Sequence, residues 1–351
     1  MIQPKVIVAN VSEKPTSIWL YAENLKMMAP SSISSFYAYH KSGCSKSRIN
    51  RRIKMMSDAF LKSKFLLRQL ITFDYDILHY AHQNIPPILS KSFDKPQVIT
   101  VHDNPKKLFT DLYSPNSFAG KLAKSFIEKN LRTYMNFENV LATSNYIKNS
   151  LISYGFSGNI EMIYLPISPG FKKIRNKIGL RKELNLSIDE KLILSVSTNE
   201  KRKNLQLVEG AMKQLDTHYK LVRVGKPIGN SISFSNVSEE MLNKIYNACD
   251  ALVMPSLEEG LGLPVIEAFA TGLPVVASDI EIFHEIGEDA IEYINPMDVE
   301  SLVEGIKNAL KMSDEKIRKG ENLAKRFSFQ IFKEKMMKYY SSLISNSRSF
   351  E

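Results

Sequence analysis

The chain of 351 residues is 44% hydrophobic and 24% charged, an ordinary globular composition whose length favours two domains over one core. It has no apolar run of about 18 residues, so no membrane-spanning helix is expected, and "MIQPKVIVAN" enters a strand-like stretch without the charged and apolar regions of a signal peptide. Its two cysteines, Cys44 and Cys249, match no metal-ligand spacing, which fits a reduced, cytoplasmic compartment.

The net charge of +10 lies wholly in the first half. Residues 1–165 carry 21 Lys and Arg against 11 Asp and Glu, whereas residues 166–351 carry 26 of each. Such a basic half suits nucleic acid, an anionic membrane or a phosphorylated substrate, and composition does not choose among them.

In chain order, "KVIVAN" (5–10) reads as a strand and precedes an amphipathic stretch around Ile18–Met28. The segment "SRINRRIKMMSDAFLKSKFLLRQL" (47–70) spaces Ile49, Ile53, Met56 and Phe60 at steps of four, three and four, with Arg48, Arg51, Arg52 and Lys54 among them. That is a basic amphipathic helix, suited either to an anionic membrane surface or to core packing with a solvated basic face. Strand-like runs follow at 76–81, 97–103, 139–144 and 160–165, with helical spacing over 117–134 and 145–153.

The stretch "PISPGFKKIRNKIGLRKELN" (166–185), rich in Pro, Gly and charge, interrupts the alternation. A second series then places strands at 191–197, 219–225, 250–255 and 274–279. Helices are expected near 204–215, 238–248, 264–271 and 298–312, and a last one over 328–344. Alternation of this kind implies parallel sheets with crossover helices. Two doubly wound α/β domains with a cleft between them are expected, over 1–168 and 169–327. The terminal segment 328–351 is expected to pack back on the first domain.

The most informative stretch is "EEGLGLPVIEAFATGLPVVASD" (258–279). Strand 250–255 ends in a Gly-rich loop, and a helix begins near Pro264, where a fixed φ and missing N–H are tolerated. Ligands bind at such carboxyl ends of parallel strands. A helix N-terminus favours an anion such as a diphosphate, and Gly260 and Gly262 allow close backbone approach. Glu259 and Glu267 flank that site and are suited to accept hydrogen bonds from sugar hydroxyls. Diphosphate on amides and hydroxyls on carboxylates describe a nucleotide sugar.

The string from Glu259 to Asp279 resembles the signature of family 4 of the retaining glycosyltransferases (group 1 glycosyl transferases), roughly E-G-F-G-L-P-x-x-E-A-x-A-x-G-x-P-V-x-x-S, with Leu261 where Phe is usual. The resemblance implies the GT-B fold, two Rossmann-like parallel-sheet domains facing each other across a cleft, and a sugar transfer that needs no metal and no cofactor beyond the nucleotide-sugar co-substrate. It assigns the donor to Thr198, Arg202, Lys203, Gly225, Phe234, Gly260, Leu261, Gly262, Leu263 and Glu267. Arg202 and Lys203 fall on the diphosphate and Glu267 on the ribose. Thr198 stands where many relatives carry an arginine, and Arg202 is expected to compensate.

Glu259 and His102, from the "VITVHD" resemblance, are the expected catalytic pair, with His79 and His82 nominated weakly. The family's N-terminal glycine-rich loop is absent, and Thr16 and Ser17 occupy its place as acceptor-side candidates, together with Ser144. The function so implied is transfer of a mannose- or glucose-type hexose from a nucleoside-diphosphate sugar to a glycan or lipid-linked hydroxyl. The setting expected is cytoplasmic, peripheral on the inner face of the membrane. A sugar-nucleotide epimerase and a non-catalytic sugar-nucleotide-binding protein are the alternatives. A nucleic-acid partner is not expected, since no aromatic-basic stripe is interleaved on the strands.

Overall fold

The computed structural model describes residues 4–10, 17–37, 74–83, 95–104 and 135–348. Thr16 and the whole 47–70 segment lie outside them. The chain divides into two units, Met1–Leu165 with Phe332–Glu351, and Pro166–Ile331.

The first unit is built on a parallel sheet of β1 (Val6–Asn10), β2 (Ile33–Tyr37), β3 (Ile77–Tyr80), β4 (Gln97–Val101), β5 (Asn139–Ala142) and β6 (Asn159–Met162). Their spatial order is β2-β1-β3-β4-β5-β6. Every described residue of β3 and β5 is buried, as expected of near-continuous apolar strands covered on both faces. Helix α1 (Ser17–Met28) makes the crossover from β1 to β2 and buries Tyr21, Ala22, Leu25 and Met28, one stripe at helical spacing. Helix α2 (Asn145–Ser153) follows β5. The C-terminal helix (Phe329–Arg348) buries Phe332, Met336, Tyr340 and Leu343. Phe332 meets the Tyr21 ring edge-on at 6.1 Å.

The second unit repeats the plan with β7 (Lys191–Val196), β8 (Tyr219–Val224), β9 (Ile232–Phe234), β10 (Ala251–Met254), β11 (Val275–Ser278) and β12 (Ile291–Ile294), ordered β12-β11-β10-β7-β8-β9 and parallel throughout. Its helices are α3 (Lys177–Glu183), α4 (Leu205–Gln214), α5 (Glu239–Ala248), α6 (Leu263–Thr271), α7 (Glu281–Gly287), α8 (Val299–Ala309) and α9 (Asp314–Ala324). Ile193, Val253 and Val276 of the sheet pack against Val208 and Ala211 of α4 and Leu302 and Ile306 of α8.

The interruption read at 166–185 is structured. Backbone N–H groups of Lys172 and Ile174 donate to the side-chain oxygens of Asn243 (3.0 Å) and Asn247 (2.7 Å) on α5. Two asparagines thus take the place of a neighbouring strand for an extended segment. Helix α3 comes next, and its buried Arg181 donates to the Ala248 carbonyl at 2.9 Å and pairs with Asp250 at 2.6 Å. Strands β2, β9 and β12 and helices α3, α7 and α9 were not foreseen. They are short, or, like β2 with "ISSFY", polar enough to read as loop.

Candidate active site

In the second unit the strand order reverses beside β7. Strands β8 and β9 lie on one side of it, β10 to β12 on the other. Such a reversal opens a crevice beyond the carboxyl ends of the two strands that flank it, here β7 and β10. Two loops rise from those ends, 197–204 and 255–262, and they join: the Leu257 N–H donates to the Arg202 carbonyl at 2.8 Å.

Lys201–Lys203 form a 3-10 turn, stopped by Asn204 in the left-handed region (φ 52°). The Asn204 amide donates to the Pro296 carbonyl at 2.7 Å and fixes the turn over the sheet. The turn delivers Lys203 and Arg202 to one carboxylate. Lys203 Nζ lies 2.6 Å from Glu259 Oε1, and Arg202 Nη1 lies 3.1 Å from Glu259 Oε2. Arg202 also donates to the Glu258 carbonyl (3.2 Å) and, through Nε, to Glu200 (2.7 Å). Thr198 donates its hydroxyl to the other oxygen of Glu200 at 3.0 Å. Burial opposes the charge on Glu200, but Arg202 and the Thr198 hydroxyl outweigh it and hold this carboxyl below its ordinary range. Glu259 is buried and Lys203 nearly so, and their charges are satisfied within the cluster, whereas Glu200 at its edge is exposed.

Gly262 turns the 255–262 loop into α6 in the left-handed region (φ 83°), and a Cβ there would come within 2.8 Å of the Phe283 ring. Leu261 is buried, Gly260 lies in the same buried loop, and Leu263 and Pro264 open α6, whose N-terminus has no side-chain cap. At the end of β8, Gly225 (φ 140°) donates its N–H to the Phe234 carbonyl at 2.9 Å. A Cβ at Gly225 would sit 2.5 Å from the Ser197 carbonyl, so β8 closes against the loop after β7 only with glycine there.

Glu267, one turn into α6, accepts the Tyr246 hydroxyl at 2.7 Å. It is half-buried in α6 and packed by protein. Desolvation pushes its carboxyl up to about 7, against the Tyr246 hydrogen bond that favours the charge and with nearby Glu239 adding to the rise.

In the first unit His102 stands just past β4, buried. Its backbone N–H donates to the Gln83 side chain (3.0 Å), and Nε2 lies 2.7 Å from the Ala81 carbonyl. That acceptor places the ring proton on Nε2 and leaves Nδ1 as an acceptor. Burial holds the imidazole below its ordinary range, although the Ala81 bond and Asp103 act the other way, so it is neutral at pH 7. His82 stacks on it at 5.6 Å. His79 is fully buried and spent on packing, with Tyr340 at 2.5 Å and Thr100 at 2.7 Å. Ser144 caps α2, its hydroxyl accepting the Ile147 N–H at 3.2 Å. Ser17 opens α1.

The structure therefore gathers Thr198, Arg202, Lys203 and Glu259 into one cluster, and joins Gly225 to Phe234 at the next strand end. Three participants escaped sequence reasoning: Glu200, Tyr246 and Arg223. The last left a trace, since Ser195 and Ser197 break an apolar strand where "LVRVG" places its one charge.

Comparison with known proteins agrees with this geometry. A family model described as Glycosyl transferases group 1 matches residues 176–326, and one described as Glycosyltransferase Family 4 matches residues 37–171. The O-antigen chain mannosyltransferase RfbU of Salmonella typhimurium is 31% identical over 277 residues, which cover 76% of this chain and 74% of that protein. Among solved structures, sucrose-phosphate synthase of Thermosynechococcus elongatus superposes with a TM-score of 0.78 at 18% identity, covering 98% of this chain and 100% of the other. HepE of Anabaena, in complex with UDP and glucose, gives 0.76 at 16% identity, covering 97% and 100%. Two six-stranded parallel sheets, these neighbours and the shared sequence make the chain a glycosyltransferase of GT-B fold, a member of the group 1 glycosyl transferases of glycosyltransferase family 4.

Proposed function

We propose that this enzyme moves a hexose of mannose or glucose type from a nucleoside-diphosphate sugar to a hydroxyl of a glycan or lipid-linked acceptor, with retention of anomeric configuration. The observation that carries this reading is the Arg202–Glu259–Lys203 cluster at the strand reversal, beside the uncapped N-terminus of α6. Cations and aligned N–H groups meet the charge that develops on a departing diphosphate, so the neutralisation is assigned to the protein rather than to a metal ion. Glu259 is already engaged by two cations, which makes it a weak nucleophile. Its part is to orient the sugar and hold the cations in place. The bond from the anomeric carbon to the phosphate oxygen breaks as the acceptor oxygen bonds to that carbon on the same face, and the acceptor proton passes to the departing phosphate.

Glu267 is assigned to the ribose hydroxyls and neutral His102 to a sugar hydroxyl. The Salmonella relative, an O-antigen chain mannosyltransferase, favours mannose, whereas HepE was solved with UDP and glucose, so the donor is to be found by trial. Among the described residues no helix is long and apolar enough to cross a membrane. The basic excess of residues 1–165 supports docking on an anionic membrane surface at the cytoplasmic face. The test is a screen of GDP-mannose, UDP-glucose and ADP-glucose for nucleoside-diphosphate release, with NMR of the transferred sugar. Release from one donor and an unchanged anomer support the reading; an inverted product removes the retaining mechanism, and no release from any donor removes the donor assignment.

A further inference from the structure

Arg223 occupies a place where a charge is not ordinarily found. It lies in the middle of β8, between Val222 and Val224, opposite Ser195 in the register with β7, and it is fully buried. Its guanidinium runs under the loop after β7. Nη1 donates to the Ser195 carbonyl (3.1 Å), the Ser195 hydroxyl (3.2 Å) and the Ser197 hydroxyl (3.1 Å). Nη2 donates to the Ser197 carbonyl (2.8 Å) and the Asn199 side chain (3.1 Å). All these acceptors are neutral. Among the described residues it pairs with no carboxylate, and its Nε has no partner.

The contrast with its neighbours gives this meaning. Arg202 and Lys203 reach the same pair of loops, but Glu200 and Glu259 already answer their charges. Burial brings Arg223 down only to about 10, so it stays protonated at neutral pH. A buried cation without a counter-ion is costly, and it is retained where an anion arrives to complete it. The potential of such a charge is weakly screened, because the medium around it is protein rather than water.

We propose that Arg223 supplies a buried, unanswered positive charge to the donor site: from beneath, it fixes the loop Ser197–Asn199 and attracts the diphosphate of the nucleotide to the ends of β7 and β8. The proposal rests on the donor reading above and adds a buried charge to the exposed Lys201 and Lys226 at the same strand ends. Arg223 is a positioning residue, since the loop lies over it. It also explains how a loop with Thr198 at an exposed position, and no arginine of its own there, holds an anion. Ser195 and Ser197 are the small hydroxyl-bearing residues that make room for the guanidinium and accept from it.

The test uses the whole protein and calorimetric titration with UDP, GDP and ADP, and with the matching nucleosides, on wild type, R223M, R223K and T198R/R223V. In R223M the affinity for the diphosphate that wild type prefers should fall at least about tenfold, while nucleoside affinity changes less than about twofold. R223K should recover most of the loss. Equal loss of diphosphate and nucleoside affinity in R223M, or no loss of either, overturns the proposal. Should R223M fail to fold, T198R/R223V carries the test, because it puts valine in the strand and an arginine on the exposed loop. Diphosphate affinity kept within about threefold of wild type supports the proposal, and a loss beyond about tenfold overturns it. A wild type that binds none of the three diphosphates removes the donor reading itself and this proposal with it, a result distinct from a loss confined to the variants.

Discussion

Lys203 and Glu259 lie 2.6 Å apart, their side chains only 11% and 7% exposed, on two loops that rise from the strands on either side of the sheet reversal. The pair fixes the spacing of those loops, and removing either partner strands the other in a desolvated place. K203M and E259Q should each cost about 2–4 kcal/mol in urea unfolding, and the double variant clearly less than their sum. Strict additivity would show that the two side chains do not interact in solution.

Glu267 predicts a pH dependence. Its carboxyl titrates near 7 in the folded protein against an ordinary 4.5, so between these values the folded state holds a proton that the unfolded chain has released. The stability that Glu267 contributes is therefore fully present below about 4.5, is lost as pH rises towards 7, and stays absent above it. E267Q keeps an acceptor for the Tyr246 hydroxyl and removes the titration. It should gain on the order of 1–2 kcal/mol over wild type at pH 8 and almost nothing at pH 4. A difference that does not change with pH would refute this.

His79 and Tyr340 tie the C-terminal helix to β3 and β4 within the first unit, with His79 Nδ1 and the Tyr340 hydroxyl 2.5 Å apart. Y340F leaves a buried ring nitrogen without its partner and should lower stability by about 1–3 kcal/mol. Burial, with a smaller part from His102, pushes His79 down to about 3 from an ordinary 6.5. The unfolded chain thus binds a proton that the folded one refuses, so the contribution of His79 to stability falls as pH drops below about 6.5. A denaturant midpoint for Y340F equal to that of wild type would count against the contact.

Much of this was legible beforehand, for reasons that differ by region. The run from Glu259 to Asp279 carries its own geometry: apolar strand, glycine turn, helix with proline near its start, second apolar strand. Helix α6 begins at Leu263, one residue before the expected Pro264. Contacts between elements distant in sequence were not legible. The hydrogen bond from Tyr246 to Glu267 joins positions 21 apart, and that from Arg223 to Ser195 joins positions 28 apart. The first needs the packing of α5 against α6 and the second the register of β7 with β8. Ser144, an acceptor-side candidate from the strand-Ser-helix resemblance, is also the N-cap of α2, a second role that its place at the end of a strand did not reveal. His79 is fully buried against Tyr340 and Thr100, partners that the strand motif alone did not show.

Gly262 offers a local check on the turn that begins α6. With φ at 83° and the Phe283 ring 2.8 Å from where an alanine methyl would sit, G262A combines a disfavoured backbone with overlap. It should destabilise by about 2–3 kcal/mol and weaken nucleoside-diphosphate binding more than a surface change of equal stability cost. Unaltered melting temperature and affinity would mean the turn is not held as described.

The most direct measurement is calorimetric titration of wild type and R202A/K203A with UDP, GDP and ADP. With the donor diphosphate held by this pair, one of the three should bind wild type, and the double variant should bind it about 30- to 1000-fold more weakly, equivalent to about 2–4 kcal/mol. Affinity unchanged by the double substitution would contradict it.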